Sequence, residues 1–246
     1  MAADELLAAE AVARDRPLVR FYGWSEPTLS LGGFQRLADA RATPEVEGLA
    51  LVRRPSGGGA ILHGSDLTYA VAVPREHPWG VSAQRLYDIF HAALVKLLRE
   101  RGIAAAQHPG RESAAADQEQ LLCFDRRARG DVVIAAETTA DGHKILGSAQ
   151  RRLRGAVLQH GSLLLRSPGP GLAAHHAGLD RLAVAAGPWE PRPLATAWLE
   201  AVADSEESAG AISGCGFESG SFLTGCRHRL EDAAARFASP GWLARR

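Results

Sequence analysis

Between residues 49 and 165 the chain reads as a succession of extended apolar runs with one long helical pattern among them. The runs are 49–54, 60–63, 67–73, 131–135, 143–147 and 156–165, rich in Val, Ile, Leu and Ala and separated by glycine, proline and polar residues. The helical pattern spans 82–101: Leu86, Ile89, Phe90, Ala93, Leu94 and Leu97 recur at i, i+3 and i+4, and Gly102 stops it. A doubly wound parallel sheet needs a helix after nearly every strand, and that alternation is missing. The pattern predicts an α+β fold, with a mixed, largely antiparallel sheet flanked by helices.

Flanking elements follow the same reading. Residues 3–14 form a helix with acids early and Arg14 late. Val19 to Trp24 and Thr28 to Gly32 are two strands joined by a turn at Glu26-Pro27. Thr139-Ala140-Asp141-Gly142 carries the Asp-Gly hairpin signal between the 131–135 and 143–147 strands. Residues 107–120 are a polar loop. From Ser167 the composition changes, with Pro168 to Gly171 as a loop and helices over 192–208 and 226–238.

The bulk chemistry removes several classes of function. Formal net charge is +0, so no polyanion-binding surface and no nucleic-acid partner is expected. Three cysteines, Cys123, Cys215 and Cys226, without CxxC spacing argue against a disulfide framework or a zinc site, and fit reduced thiols in a cytoplasmic protein. The acidic start is no secretory signal, and no uncharged apolar run is long enough for a membrane span.

Four groups of residues offer chemistry. All but two of the 28 basic side chains are arginine. One lysine, Lys96, belongs to the solvated face of the 82–101 helix. The other, Lys144, lies beside Gly147, Ser148, Ala149 and Gln150. Lysine is a compact charge whose pKa responds to burial, where arginine stays planar and charged. Lys144 is thus either a hairpin surface lysine or an amine aimed into a cleft that small residues leave open. In Arg53-Arg54-Pro55-Ser56-Gly57-Gly58-Gly59, consecutive glycines can present backbone N–H groups to an anion, with two arginines adding charge; a flexible loop would use the same residues. Neither a P-loop nor a dinucleotide fingerprint is present. Cys123 is followed by Asp125, Arg126 and Arg127, and a nearby cation favours a reactive thiolate, although most free cysteines are small buried hydrophobes. His63 and Gln159-His160-Gly161 fit hydrogen-bonded structural positions as well as catalytic ones.

In order and separation, Arg53 to His63 with Asp66-Leu67-Thr68-Tyr69, then Lys144 to Gln150, then Leu158 to Gly161, together resemble the biotin/lipoate protein ligase superfamily. The ending Phe237 to Trp242 and the Cys123-Phe124-Asp125 segment are similar to its cysteine-dependent octanoyltransferase branch. The resemblance implies a single catalytic domain over 1–246, with a core to about 187 and a helical portion from about 188. It implies transfer of octanoyl from acyl carrier protein to a lysine of a lipoyl domain or of the glycine cleavage H protein. Cys123 would be the nucleophile and Lys144 its positioning and charge-stabilising partner. Arg54, Ser56, Gly57, Gly58, Gly59, His63, Gly147, Ser148, Ala149, Gln159, His160 and Gly161 would shape the acyl and pantetheine site. The 156–165 strand would wall an eight-carbon chain, each buried methylene contributing roughly 0.8 kcal/mol. No cofactor or metal is implied. Gly57-Gly58-Gly59 is closer to the ATP-using lipoate ligases, so a ligase needing ATP and Mg is the alternative, and a non-catalytic lipoyl-domain-binding scaffold a third. The chain departs from the resemblance in the long stretch from Cys123 to Lys144, whose extra residues around 136–141 predict an extended hairpin.

Overall fold

The computed structural model describes residues 1–110, 121–136, 139–174, 176–205, 237 and 239–244, and their strands divide between two sheets. The larger has six strands: β1 (Leu18–Tyr22), β5 (Asp66–Pro74), β9 (Ala156–Leu164), β8 (Thr139–Leu153), β7 (Val132–Ala136) and β6 (Ala105–Gln107), in that order. Every neighbouring pair in it is antiparallel. In the smaller sheet β2 (Thr28–Leu31) runs parallel to β3 (Ala50–Arg53) and antiparallel to β4 (Ile61–His63). The mixed, largely antiparallel α+β expectation holds.

Strands β5 and β9 are buried at every position, so both faces of the sheet centre are covered. Side chains alternate between those faces. Tyr69, Val71 and Val73 of β5, with Val157 and Leu163 of β9, meet Leu86, Ile89, Phe90 and Leu94 of helix α3 (Ala83–Glu100). Ser82 caps α3 by accepting from Arg85 N, and Gly102, at φ +77°, ends it. Helix α5 (Pro191–Ala203), which follows the single-turn α4 (Leu179–Leu182), seats Trp198 in the same core, its indole donating to Phe90 O at 2.8 Å. On the opposite face, Ala70, Ala72 and Ala156 make a shallow surface on which Leu7, Ala8 and Ala11 of α1 (Ala2–Ala13) rest. The short α2 (Leu37–Arg41) buries Ala40 in a cluster with Leu29 and Leu31 of β2, and α6 (Pro240–Leu243) returns to β3, Trp242 Nε1 donating to Arg53 O at 3.0 Å.

Two expectations are corrected. β1 and β2 are not a hairpin: β1 pairs with β5, from Leu18 opposite Ala72 to Tyr22 opposite Thr68, and β2 is the central strand of the small sheet. The chain crosses between sheets through Trp24, whose indole donates to Thr68 Oγ1 at 2.9 Å and stacks on His63. Asp141-Gly142 is not the hairpin turn either. Both lie within β8, and Gly142 takes its positive φ of +67° in the register shift between the Ile134–His143 and Ala136–Thr139 pairs. The β7–β8 pairing extends to Ala136 opposite Thr139, in line with the long Cys123–Lys144 stretch, and residues 137–138 fall outside the described residues. The 226–238 helix (except residue 237), the 111–120 portion of the polar loop, Cys215 and Cys226 also lie outside them. Among the described residues no helix is long and apolar enough to cross a membrane.

Candidate active site

The glycine loop leaves β3 at Arg53 and is held by its own arginines. Arg54 is buried; its guanidinium donates to Ser30 O and Oγ and to the carbonyls of Gly57 and Gly59, the last at 2.7 Å. Arg53 donates to the carbonyls of Gly32, Gln35 and Leu243. Both arginines that the sequence offered as charge beside the loop turn inward and fix carbonyl oxygens. Burial draws the Arg54 pKa down to about 10 against a smaller opposing effect of Cys123.

That loop positions the cysteine. Ala60 forms a parallel bridge with Leu122: Ala60 N donates to Leu121 O at 2.8 Å, and Cys123 N to Ala60 O at 2.7 Å. Gly59 packs so close that a Cβ there would stand 2.8 Å from Cys123 N. Cys123 then opens a single 3-10 turn, Cys123–Asp125, with its side chain half-buried.

Lys144 reaches the same place from β8. Its ammonium lies 3.5 Å from Cys123 Sγ, 3.0 Å from Cys123 O, 3.3 Å from Arg126 O and 2.7 Å from Asp131 Oδ2. A β-bulge aims it there. Val133 is opposite Lys144 but Val132 is opposite Leu146, so Ile145 is the extra residue. Ile145 and Leu146 both enter the α3 core, and Lys144 shares the other face with Gly147. Burial opposes the ammonium, but the negative charge of Cys123 and Asp131 and the hydrogen bonds to both outweigh it, raising the Lys144 pKa above its ordinary value. The cation at the sulfur is thus Lys144. Arg127, which the sequence also offered, donates to the carbonyls of Phe124, Arg126 and Gly142.

A partly open cavity lies beside this pair. Its walls include Trp24, Ile61, His63, Thr68, Ala149 and Gly161, a mainly apolar lining with Cys123 and Gly147 at one side.

The model of the lipoyl protein ligase A/B catalytic domain matches residues 1–175. This chain belongs to that family. Octanoyltransferase LipM of Moorella thermoacetica is 34% identical over 270 residues, spanning 100% of this chain and 93% of that protein. The LipM octanoyltransferases of Kyrpidia tusciae and Geobacillus kaustophilus are 39% and 38% identical over 67% of this chain; those alignments span 61% and 60% of the relatives' length. A lipoate-protein ligase A crystallised with ATP superposes with a TM-score of 0.65 at 19% identity, over 99% of this chain and 92% of that one. The bipartite lipoate protein ligase of Thermoplasma acidophilum gives 0.59 at 19% identity, over 98% and 91%. At those identities the two structures share the fold.

Within this lipoyl ligase fold the other sequence candidates separate by face. Ser56 bonds His160 Nε2, and His160 Nδ1 is 3.4 Å from Asp4 Oδ2, which also receives Tyr22 OH. Burial lowers the His160 pKa although Asp4 pulls the other way. Asp4, on α1, was not foreseen; it is buried, and His160 and Arg20 outweigh that burial to hold its carboxyl well below the usual range. His63 has both nitrogens engaged, Nε2 with Ser30 Oγ and Nδ1 with Asp66 Oδ2, each at 2.8 Å. The Asp66 carboxylate can only accept, so Nδ1–H goes to it, and in the neutral ring Nε2 accepts from Ser30 Oγ. His63 is a wall of the cavity whose ring orientation is fixed by this chain. Arg54, Gly58, Gly147, Ala149, His160 and Gly161 also border the cavity, whereas Gln159 points away from it. Gln159 is fully buried toward α3, donating to Tyr69 OH at 2.7 Å. Ser148 borders the cavity, but its hydroxyl also turns toward α3, to Tyr69 and His91. Period-two alternation along β8 and β9 was available to separate these residues. The bulge at Ile145, which sets the phase for Lys144, has no local signature. Asp131 gave no stronger signal than an acid at the start of a strand.

Proposed function

We propose that this protein transfers an octanoyl group in lipoate biosynthesis through a thioester on Cys123. The observation carrying the reading is the Lys144 ammonium against Cys123 Sγ and O at the edge of an apolar cavity. A lipoate ligase that activates its acid with ATP needs a lysine but no cysteine here.

The acyl donor is octanoyl-acyl carrier protein. Cys123 Sγ attacks the thioester carbonyl; the new S–C bond forms as the pantetheine S–C bond breaks, and the departing sulfur takes a proton. Lys144 puts a positive charge beside the atom that carries negative charge in that step. The acceptor's lysine amine then attacks the Cys123 thioester. Its N–C bond forms, the Cys123 S–C bond breaks, and the amine proton passes to the cysteine sulfur. Lys144 keeps its own proton throughout, consistent with its raised pKa: it is a donor to developing charge and does not deprotonate the acceptor. The apolar walls hold the acyl chain, and the acceptor is a lipoyl domain or the glycine cleavage H protein. The cycle consumes no ATP. The whole chain acts as one catalytic domain, in which α6 braces Arg53 at the root of the glycine loop.

Intact-protein mass spectrometry after incubation with octanoyl-acyl carrier protein, without ATP, tests this directly. One added octanoyl group on Cys123, chased off by an acceptor domain, is the expected result. Full ATP-dependent modification of the acceptor by Cys123→Ala would instead establish a ligase.

A further inference from the structure

We propose that Asp131 is the positioning residue that locks the Lys144 ammonium over Cys123, making the site a three-residue Cys–Lys–Asp assembly. The inference rests on the transferase reading for its consequence in catalysis, but its geometry stands separately.

Asp131 Oδ2 is 2.7 Å from Lys144 Nζ, closer than either Cys123 atom, and both partners are buried. Lysine turns freely about its long stem, so the carboxylate is what selects one direction for it. Asp131 is itself held from several sides. Its Oδ2 accepts from Ala128 N at 2.7 Å, its N–H donates to Ala128 O, and its carbonyl accepts from His108 N at 2.7 Å.

The peptide before it is clamped from α3. His91 is fully buried, burial lowers its pKa, and the neutral ring donates Nδ1–H to Gly130 O at 2.6 Å. Its Nε2 must then accept, from Ser148 Oγ at 2.7 Å. Ser148 Oγ accepts from Tyr69 OH, Tyr69 from Gln159 Nε2, and Gln159 Oε1 from Gln150 Nε2. A chain of hydrogen bonds, in which Tyr69 OH also lies 3.3 Å from His91 Nε2, therefore runs beneath β8 and ends at the peptide that carries Asp131. This gives Gln159 and Ser148, whose polar groups face away from the cavity, a part in the site: they hold its third member in place.

The charged and titratable groups around Lys144 are Asp131, Cys123 on the 3-10 turn, and His91 on α3, while Tyr87 on α3 and Arg54 on the glycine loop act on Asp131 or Cys123 in turn. Of these, Asp131 is the only one with a carboxylate on the ammonium. Removing its charge and hydrogen bond leaves Cys123 alone to oppose the burial that pushes the lysine toward neutrality.

The chain has only two lysines, so a sample labelled at lysine Cε gives two NMR signals, with exposed Lys96 as internal reference. In the wild-type protein the Lys144 signal should keep its ammonium shift beyond about pH 10.4, where an unperturbed lysine titrates. Asp131→Asn should bring the midpoint below that value and slow single-turnover acylation of Cys123 about 100-fold at neutral pH. Asp131→Glu should restore the high midpoint and part of the rate. An Asn variant with unchanged midpoint and rate overturns the proposal. So does a wild-type Lys144 that titrates at or below about 10.4, a result available even where the Asn variant does not fold. A wild-type protein with the high midpoint whose Cys123 takes no octanoyl group removes the transferase reading and leaves the lock standing.

Discussion

Gly147 lies under the side chain of Lys144, so that a Cβ on Gly147 would stand 2.6 Å from Lys144 Cε and 2.9 Å from Nζ. The same Cβ would be 3.5 Å from Cys123 Sγ. Lysine, cysteine and glycine thus occupy one small volume, and the absence of a side chain at Gly147 is what lets the ammonium reach the sulfur. Gly147→Ala should fold, because the end of a lysine stem can swing aside. It should nonetheless reduce Cys123 acylation about 100-fold, the scale expected for a displacement of about an ångström. Single-turnover acylation alongside a thermal melt checks this; an alanine variant with native acylation shows that Lys144 works from another position.

Lys144→Arg keeps a positive charge and loses the compact ammonium. A planar guanidinium does not fit between Asp131, the Cys123 and Arg126 carbonyls and the sulfur in the volume Nζ occupies. Most of the transferase activity should be lost while the fold is retained. Lys144→Ala should also destabilise, by about 3–5 kcal/mol, because it strands the buried Asp131 carboxylate. Comparing the urea midpoints of the two variants separates charge from shape. Equal midpoints would mean that Asp131 does not depend on its partner.

Stability should fall as the solution is acidified from neutral. His91 and His160 are buried with pKa values lowered from 6.5, chiefly by burial. The unfolded chain then binds protons that the folded one refuses, so their stabilisation is full above about 6.5 and is lost as pH drops toward their folded values. Each contributes at most about 1.4 kcal/mol per pH unit over that window. Asp66, whose own burial is outweighed by His63, Ser162 and Thr68, and Asp4 have depressed pKa values and add a second loss below about 3.8. Melting temperatures at pH 7.5 and 5.5 test the histidine part; no difference between them removes it.

How much of this could be read in advance differs between fold and site. The α3 stripe from Leu86 to Leu97 and the apolar β9 run have strong periodic signals, and both are central elements of the structure. Strand partners were less legible. Thr28 to Leu31 lies near Val19 to Tyr22 in sequence, yet Tyr22 finds Thr68 and Leu29 finds Leu51 and Leu62, because burial on two sides decides pairing more than proximity. Within the site, Cys123 and Lys144 stood out by residue type. What joins them, the Ala60 to Cys123 backbone bond, the bulge at Ile145 and the Asp131 carboxylate, depends on contacts across elements and on a register that no short window encodes.

Arg54 borders the cavity and also acts as a bracket. One guanidinium nitrogen bonds Ser30 and the other bonds Gly57 O and Gly59 O. Gly59 leads into Ala60, whose carbonyl receives Cys123 N. The planar fork therefore ties the small sheet to the backbone of the nucleophile. Lysine has one nitrogen and cannot span both sets of acceptors. Arg54→Lys should slow acylation roughly 10-fold to 100-fold through misplacement of Cys123. It should do so at saturating octanoyl donor, since the defect lies in the placement of Cys123. If Arg54→Lys raises KM for the donor and leaves kcat unchanged, Arg54 meets the substrate directly and the bracket is not its role.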